Sequence, residues 1–133
     1  GIVADALNDR GKAVKGARVL VSGVAYKRDI SDLRESPALE LIELLRRRGA
    51  EVSYEDPYIP ELDEHGADTH PSLIGMKALP GKAAYDAYDV VVIVTDHSST
   101  DYARMAKEAK LVVDTRNALK KHGVSIGANV VRL

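Results

Sequence analysis

The run Val90-Val91-Val92-Ile93-Val94 contains no polar position, and nothing else in the chain constrains the fold as tightly. A strand with one wet face alternates apolar and polar residues. An unbroken β-branched run therefore reads as a strand buried on both faces. Burial on both faces requires helices above and below a parallel sheet. Residues 17–22 and 111–113 repeat the pattern in shorter form, Glu51 to Tyr54 gives a further short strand, and Val130-Val131 reads as an edge strand.

Helical patterns separate these runs. Residues 2–10 place Ile2, Val3, Ala6 and Leu7 on one face, with Gly11 as the stop and residues 12–16 as a short linker. Ser36-Pro37 has the form of an N-cap followed by proline at the first helical position. Leu39, Leu41, Ile42, Leu44 and Leu45 then form a broad apolar face. Arg46, Arg47 and Arg48 stand in the last turn, where cations suit the helix dipole. A short helix is expected over residues 83–88, and another from a cap at Thr100 or Asp101 to about Lys110. Residues 57–82 hold four of the five prolines and read as a long excursion or a minor strand. The fold class that follows is α/β: a three-layer, Rossmann-like domain with a mostly parallel sheet and right-handed crossovers.

In such a sheet the carboxyl ends of the strands share one edge, and ligands bind there. Four of these ends carry polar signatures: Tyr26-Lys27, Asp56-Pro57, Thr95-Asp96-His97 and Asp114-Thr115-Arg116. The first lies in a long loop, residues 23–37, rich in charge. Its Lys27, Arg28 and Arg34 could meet an anion. Arg116 adds a bidentate fork suited to phosphate oxygens, and Lys27 a point charge. Asp56, His97 and Asp114 are candidate pocket residues. The plain alternative is that these loop charges are only solvated, with Arg34 pairing with Asp32 or Glu35. Four coincident strand ends weigh against it.

Several chemistries are excluded or unsupported. The chain has no cysteine, which removes disulfides, thiolate metal sites and a cysteine nucleophile. Its four histidines are too dispersed to suggest a metal site. A net charge of -1 over 133 residues argues against an unaided nucleic-acid binder. No apolar run approaches a membrane span, and no signal-peptide pattern is present, so a soluble cytoplasmic protein is expected. Gly23 is not followed by the further glycines of a dinucleotide-binding turn, and no phosphate-loop or nucleophile-elbow pattern occurs.

The words Gly23-Val24-Ala25-Tyr26-Lys27 and Asp32-Leu33-Arg34-Glu35-Ser36-Pro37-Ala38 closely resemble the C-terminal domain of the UDP-glucose/GDP-mannose dehydrogenase family. They look most like its branch that oxidises UDP-N-acetylhexosamines. Asp56-Pro57, Thr95-Asp96-His97 and Asp114-Thr115-Arg116-Asn117 match later family motifs in order. Thr115 stands where many relatives have glycine, and Thr100 falls near a position that is often aromatic.

The resemblance implies an NAD-dependent oxidation of the C6 alcohol of a nucleotide sugar to a carboxylate, with a cysteine nucleophile and NAD carried mainly on an N-terminal domain. It implies that residues 1–16 end an interdomain linker helix and that residues 17–133 form the UDP-sugar-binding C-terminal domain. Lys27, Arg116 and Tyr26 would contact substrate, and Arg34 the NAD. The cysteine-free chain would then supply no catalytic residue and would need the N-terminal and central domains of a homo-oligomeric parent. Its first residue, Gly1 rather than Met, fits an excised or processed piece. UDP-N-acetylglucosamine, UDP-N-acetylmannosamine, UDP-glucose and GDP-mannose remain open as substrates. Read without the resemblance, the residues also allow a stand-alone nucleotide- or phosphate-binding module, or a structural domain.

Overall fold

The computed structural model describes residues 1–133. In chain order its elements are α1 (Ile2–Asp9), β1 (Arg18–Ser22), α2 (Pro37–Arg47), β2 (Glu51–Glu55), β3 (Val90–Ile93), α3 (Tyr102–Glu108), β4 (Val112–Asp114), α4 (Ala118–Lys121) and β5 (Val130–Arg132). Single 3-10 turns occur at Pro71–Leu73 and Tyr85–Ala87. All five strands are parallel, in the order β2-β1-β3-β4-β5.

The strand pattern explains the three layers. Successive side chains point to opposite faces, so Val19, Val21, Val90, Val92 and Val113 fall on one side and join Val3, Leu7, Leu39 and Ile42 of α1 and α2. Leu20, Val91, Ile93 and Val112 fall on the other and meet Tyr85, Tyr102, Met105 and Leu119. Every residue of β3, and of β1 after the exposed Arg18, is buried, as the apolar runs require.

Helix α2 begins as the sequence anticipates. The Ser36 hydroxyl accepts a hydrogen bond from the Ala38 N–H at 3.2 Å, and Pro37 occupies the first turn. Its Ala38, Leu39, Ile42 and Leu45 are buried, and each leucine-sized side chain contributes about 1.5–3 kcal/mol by leaving water. Helix α1 belongs to the same core through Val3, Ala6 and Leu7.

The structure decides three points between and beyond the expected elements. The helix anticipated over residues 83–88 is a single 3-10 turn, Tyr85–Ala87, because Tyr85 turns inward beneath the sheet. Residues 57–82 form the long excursion, rather than the minor strand, of the two forms expected, with only an isolated antiparallel bridge between Glu61 and Lys77. It is nonetheless tied down: Ile59, Leu62, Ala67 and Leu73 are buried, and Gly66 lies against Leu33 of the loop after β1. Helix α4 was not anticipated. It follows Asn117, whose left-handed backbone (φ 58°) turns the chain sharply after β4.

Candidate functional site

The strand order reverses between β1 and β3, since the chain runs outward from β1 to β2 and returns past β1 to β3. Open α/β sheets bind ligands in the crevice at that reversal. Here it is bordered by the loop after β1 and the segment after β3.

The two borders touch closely at their roots. Gly23 has φ 87°, and a side chain there would overlap the Thr95 carbonyl. The Thr95 hydroxyl donates to the Ala25 carbonyl at 2.6 Å. Asp56, at the end of β2, gathers the rest. Its Oδ2 accepts the N–H groups of Val24 at 2.8 Å and Ala25 at 3.0 Å, while its Oδ1 accepts that of Tyr58 at 2.8 Å. His97 lies 2.8 Å from the same Oδ2 through Nε2, and its Nδ1 accepts the Asp29 N–H at 2.9 Å. Burial acts to raise the Asp56 carboxyl, but the His97 hydrogen bond and the backbone donors outweigh it and hold the group below its ordinary range. Asp29 in turn accepts both the N–H and the hydroxyl of Ser98.

Above this buried floor the loop opens. Val24 and Ala25 are buried, whereas Tyr26, Lys27, Arg28 and Asp29 are exposed. Arg28 reaches across to Asp96, donating from its terminal nitrogen to the carboxylate at 2.6 Å and from Nε to the backbone carbonyl at 3.1 Å. Asp96 is itself buried. Arg116 approaches its other oxygen at 3.7 Å, and Lys121 approaches from α4 at 3.6 Å. Three cations, two from loops and one from α4, thus converge on one carboxylate, leaving two positive charges in excess over these four groups. Burial alone would raise the Asp96 carboxyl, but the Arg28 hydrogen bond and the nearby Lys121 charge keep it low and ionised. The cation side chains remain about half exposed, at 46%, 52% and 44% for Arg28, Arg116 and Lys121. They can therefore turn from Asp96 toward a bound anion without a large desolvation cost.

Asp114 sets the aim of Arg116. Its carboxylate accepts the N–H groups of Arg116, Ala118 and Leu119 at 3.0–3.1 Å, so it folds the turn from which Arg116 projects. Tyr26 and Arg34 border an open cleft of about 520 Å³ with Asp32, Glu35, Asp68 and Thr69. Arg34 pairs there with Asp32 at 3.2 Å, and its side chain is 73% exposed. Lys27 is exposed and enters none of these ion pairs.

The structure thus separates the sequence-derived candidates into groups. Lys27, Tyr26, Arg34 and Arg116 are accessible. Asp56, His97 and Asp114 are buried, Asp56 only grazing an open pocket at its edge, and they spend their polar atoms organising the loops. Arg116 comes together with Arg28 rather than with Arg34. Asp96, Asp29 and Lys121 are absent from the sequence-derived set. Asp96 stood in a strand-end signature already noted. Lys121 depended on the unanticipated α4 and carried no signal of its own.

A model of the UDP-glucose/GDP-mannose dehydrogenase family, UDP binding domain, matches residues 20–121. The chain belongs to this family. The UDP-binding domain is 31% identical over 126 residues to the UDP-N-acetyl-D-mannosamine dehydrogenase of Pyrococcus horikoshii, an alignment covering 91% of this chain and 27% of that protein. It is 31% identical over 123 residues to the UDP-glucose 6-dehydrogenase of Rhizobium meliloti, covering 86% and 26% of the two. The solved UDP-D-ManNAc dehydrogenase of Pyrococcus horikoshii superposes with a TM-score of 0.71 at 28% identity, over 99% of this domain and 29% of that chain. A UDP-glucose dehydrogenase from Pyrobaculum islandicum gives 0.67 at 28% identity, over 96% and 29%. The domain therefore spans about a quarter of the length of the curated relatives it matches.

Proposed function

We propose that this domain binds the UDP end of a nucleotide sugar and forms one wall of the active site of an NAD-dependent nucleotide-sugar 6-dehydrogenase. The observation that carries the reading is the convergence of Arg28, Arg116 and Lys121 on buried Asp96 at the crevice between β1 and β3. An excess of positive charge on half-exposed, partly preorganised side chains suits a diphosphate. Lys27 and Arg116 contact the nucleotide sugar, and Tyr26 offers an exposed ring at the cleft mouth.

The first turn does not fit an NAD pyrophosphate. In a dinucleotide-binding fold the amides after the first strand cradle phosphate. Here the Val24 and Ala25 N–H groups already donate to the Asp56 carboxylate. NAD is accordingly assigned to the N-terminal domain of the parent, and Arg34 is the residue of this domain that reaches toward it. The central domain supplies the remaining wall, in a parent that is a cytoplasmic homo-oligomer. No helix here is long and apolar enough to cross a membrane.

Calorimetric titration of UDP and UDP-N-acetylglucosamine into the domain tests the reading. Weak binding is expected, reduced about tenfold by Arg116→Ala and less by Lys27→Ala. Absence of binding, or affinity indifferent to both substitutions, would favour a structural role for these strand ends.

A further inference from the structure

His97 is the buried member of the four histidines, with no exposed surface, and both its ring nitrogens have fixed partners. The partner of Nδ1 is the Asp29 N–H, which can only donate. Nδ1 must therefore present a lone pair, and the ring proton sits on Nε2, facing the Asp56 carboxylate. This neutral tautomer is a strut from the end of β2, through the β3 loop, to residue 29 of the β1 loop. Asp29 stands next to Arg28 and two residues after Lys27. It holds a left-handed backbone, φ 59°, a conformation that costs a non-glycine residue energy, though aspartate less than most, and that its contacts here sustain. These contacts are the His97 lone pair on its N–H and Ser98 on its carboxylate.

We propose that His97 is a positioning residue for anion binding: through its Nδ1 lone pair and the Asp29 N–H it fixes the corner that presents Lys27 and Arg28. The proposal rests on the reading that this corner binds UDP. His97 touches no ligand. Its tie to Asp56 is a separate function, because Asp56 keeps the Val24, Ala25 and Tyr58 donors without it. The two ties can be cut one at a time. The Asn side-chain oxygen stands where Nδ1 stands and can accept the Asp29 N–H, but the chain is too short for Asp56. The Gln amide reaches the Nε2 position and can donate to Asp56, but leaves Asp29 without an acceptor.

The experiment compares the parent domain with His97→Asn and His97→Gln in three measurements: Asp29 amide hydrogen exchange, UDP affinity and thermal melting. His97→Asn is expected to keep the Asp29 amide protected and UDP affinity within about threefold. His97→Gln is expected to lose the protection and about tenfold in affinity, the scale of one lost hydrogen bond. Ring nitrogen shifts of His97 in the parent, which need no variant, should report the Nε2–H tautomer. An Nδ1–H or doubly protonated ring would overturn the proposal, as would equal Asp29 protection in both variants or losses that simply follow melting temperature. Asp29 exchange decides the positioning whether or not UDP binds. Failure of the parent to bind UDP would instead remove the functional reading.

Discussion

Replacing Gly23 with alanine tests whether the two loops must touch, and Gly75 provides a matched control. Both glycines are left-handed, at φ 87° and 91°, so alanine meets nearly the same backbone penalty at each, about 1–2 kcal/mol. Their surroundings differ. A Cβ at Gly75 meets nothing within 4 Å, whereas one at Gly23 overlaps the Thr95 carbonyl oxygen and stands 2.7 Å from the Thr95 Cβ. Thr95 is held by its bond to Ala25 and cannot retreat freely, so overpacking adds about 1–3 kcal/mol. Gly75→Ala should therefore cost about 1–2 kcal/mol and Gly23→Ala about 2–5 kcal/mol. At roughly 3–4 °C per kcal/mol for a chain of this size, differential scanning calorimetry should show the Gly23 variant melting several degrees below the Gly75 variant. UDP binding should weaken only in the Gly23 variant. Equal melting temperatures would mean that the β1 and β3 loops are not locked together, and the argument for a preformed crevice would fail.

Arg28→Ala removes the shortest ion pair to Asp96 and should weaken UDP about tenfold by calorimetry, with Lys121→Ala, held at 3.6 Å, costing about two- to fivefold. Asp56→Asn places an amide donor against at least one of four donors and should destabilise the domain by about 2–4 kcal/mol in urea titrations. Asp29, Asp56 and Asp96 all have carboxyls held below their unfolded range. The stabilisation they give is therefore present above the unfolded value, about pH 4, and is lost as pH falls through the folded values. Melting temperature should fall mainly below about pH 4, and less steeply for Asp56→Asn; a loss already complete by pH 5 would contradict this assignment. Lacking cysteine, the domain mixed with NAD and a UDP-sugar should produce no NADH, and turnover by the domain alone would refute its assignment as one wall of a larger site.

The sheet was legible because burial on both faces leaves an uninterrupted β-branched run, as at Val90–Ile93, and few other structures tolerate one. The Ser36-Pro37 start of α2 was legible for an equally local reason, a cap and a fixed φ. The excursion over residues 57–82 was opaque because its order comes from scattered apolar anchors, such as Ile59 and Leu73, that follow neither helical nor strand periodicity. Helix α4 was hidden because four residues carry no period at all. At the site, the sequence marked which strand ends were polar but not which side chains would turn inward. Asp56 and His97 read like pocket residues, yet they lie beneath the loop, because backbone donors from the segments after β1 and β2 converge there and need buried acceptors. The role of Asp96 depends on tertiary convergence: its three cations come from positions 28, 116 and 121, and no local pattern links them.

UDP is expected to sit in the crevice between β1 and β3. Titrating UDP into isotope-labelled domain and following amide shifts tests it directly. The largest changes should fall on residues 24–29, 95–98 and 114–121, and should vanish in the Arg28→Ala, Arg116→Ala double variant. Shifts concentrated elsewhere, or persisting unchanged in the double variant, would contradict the account.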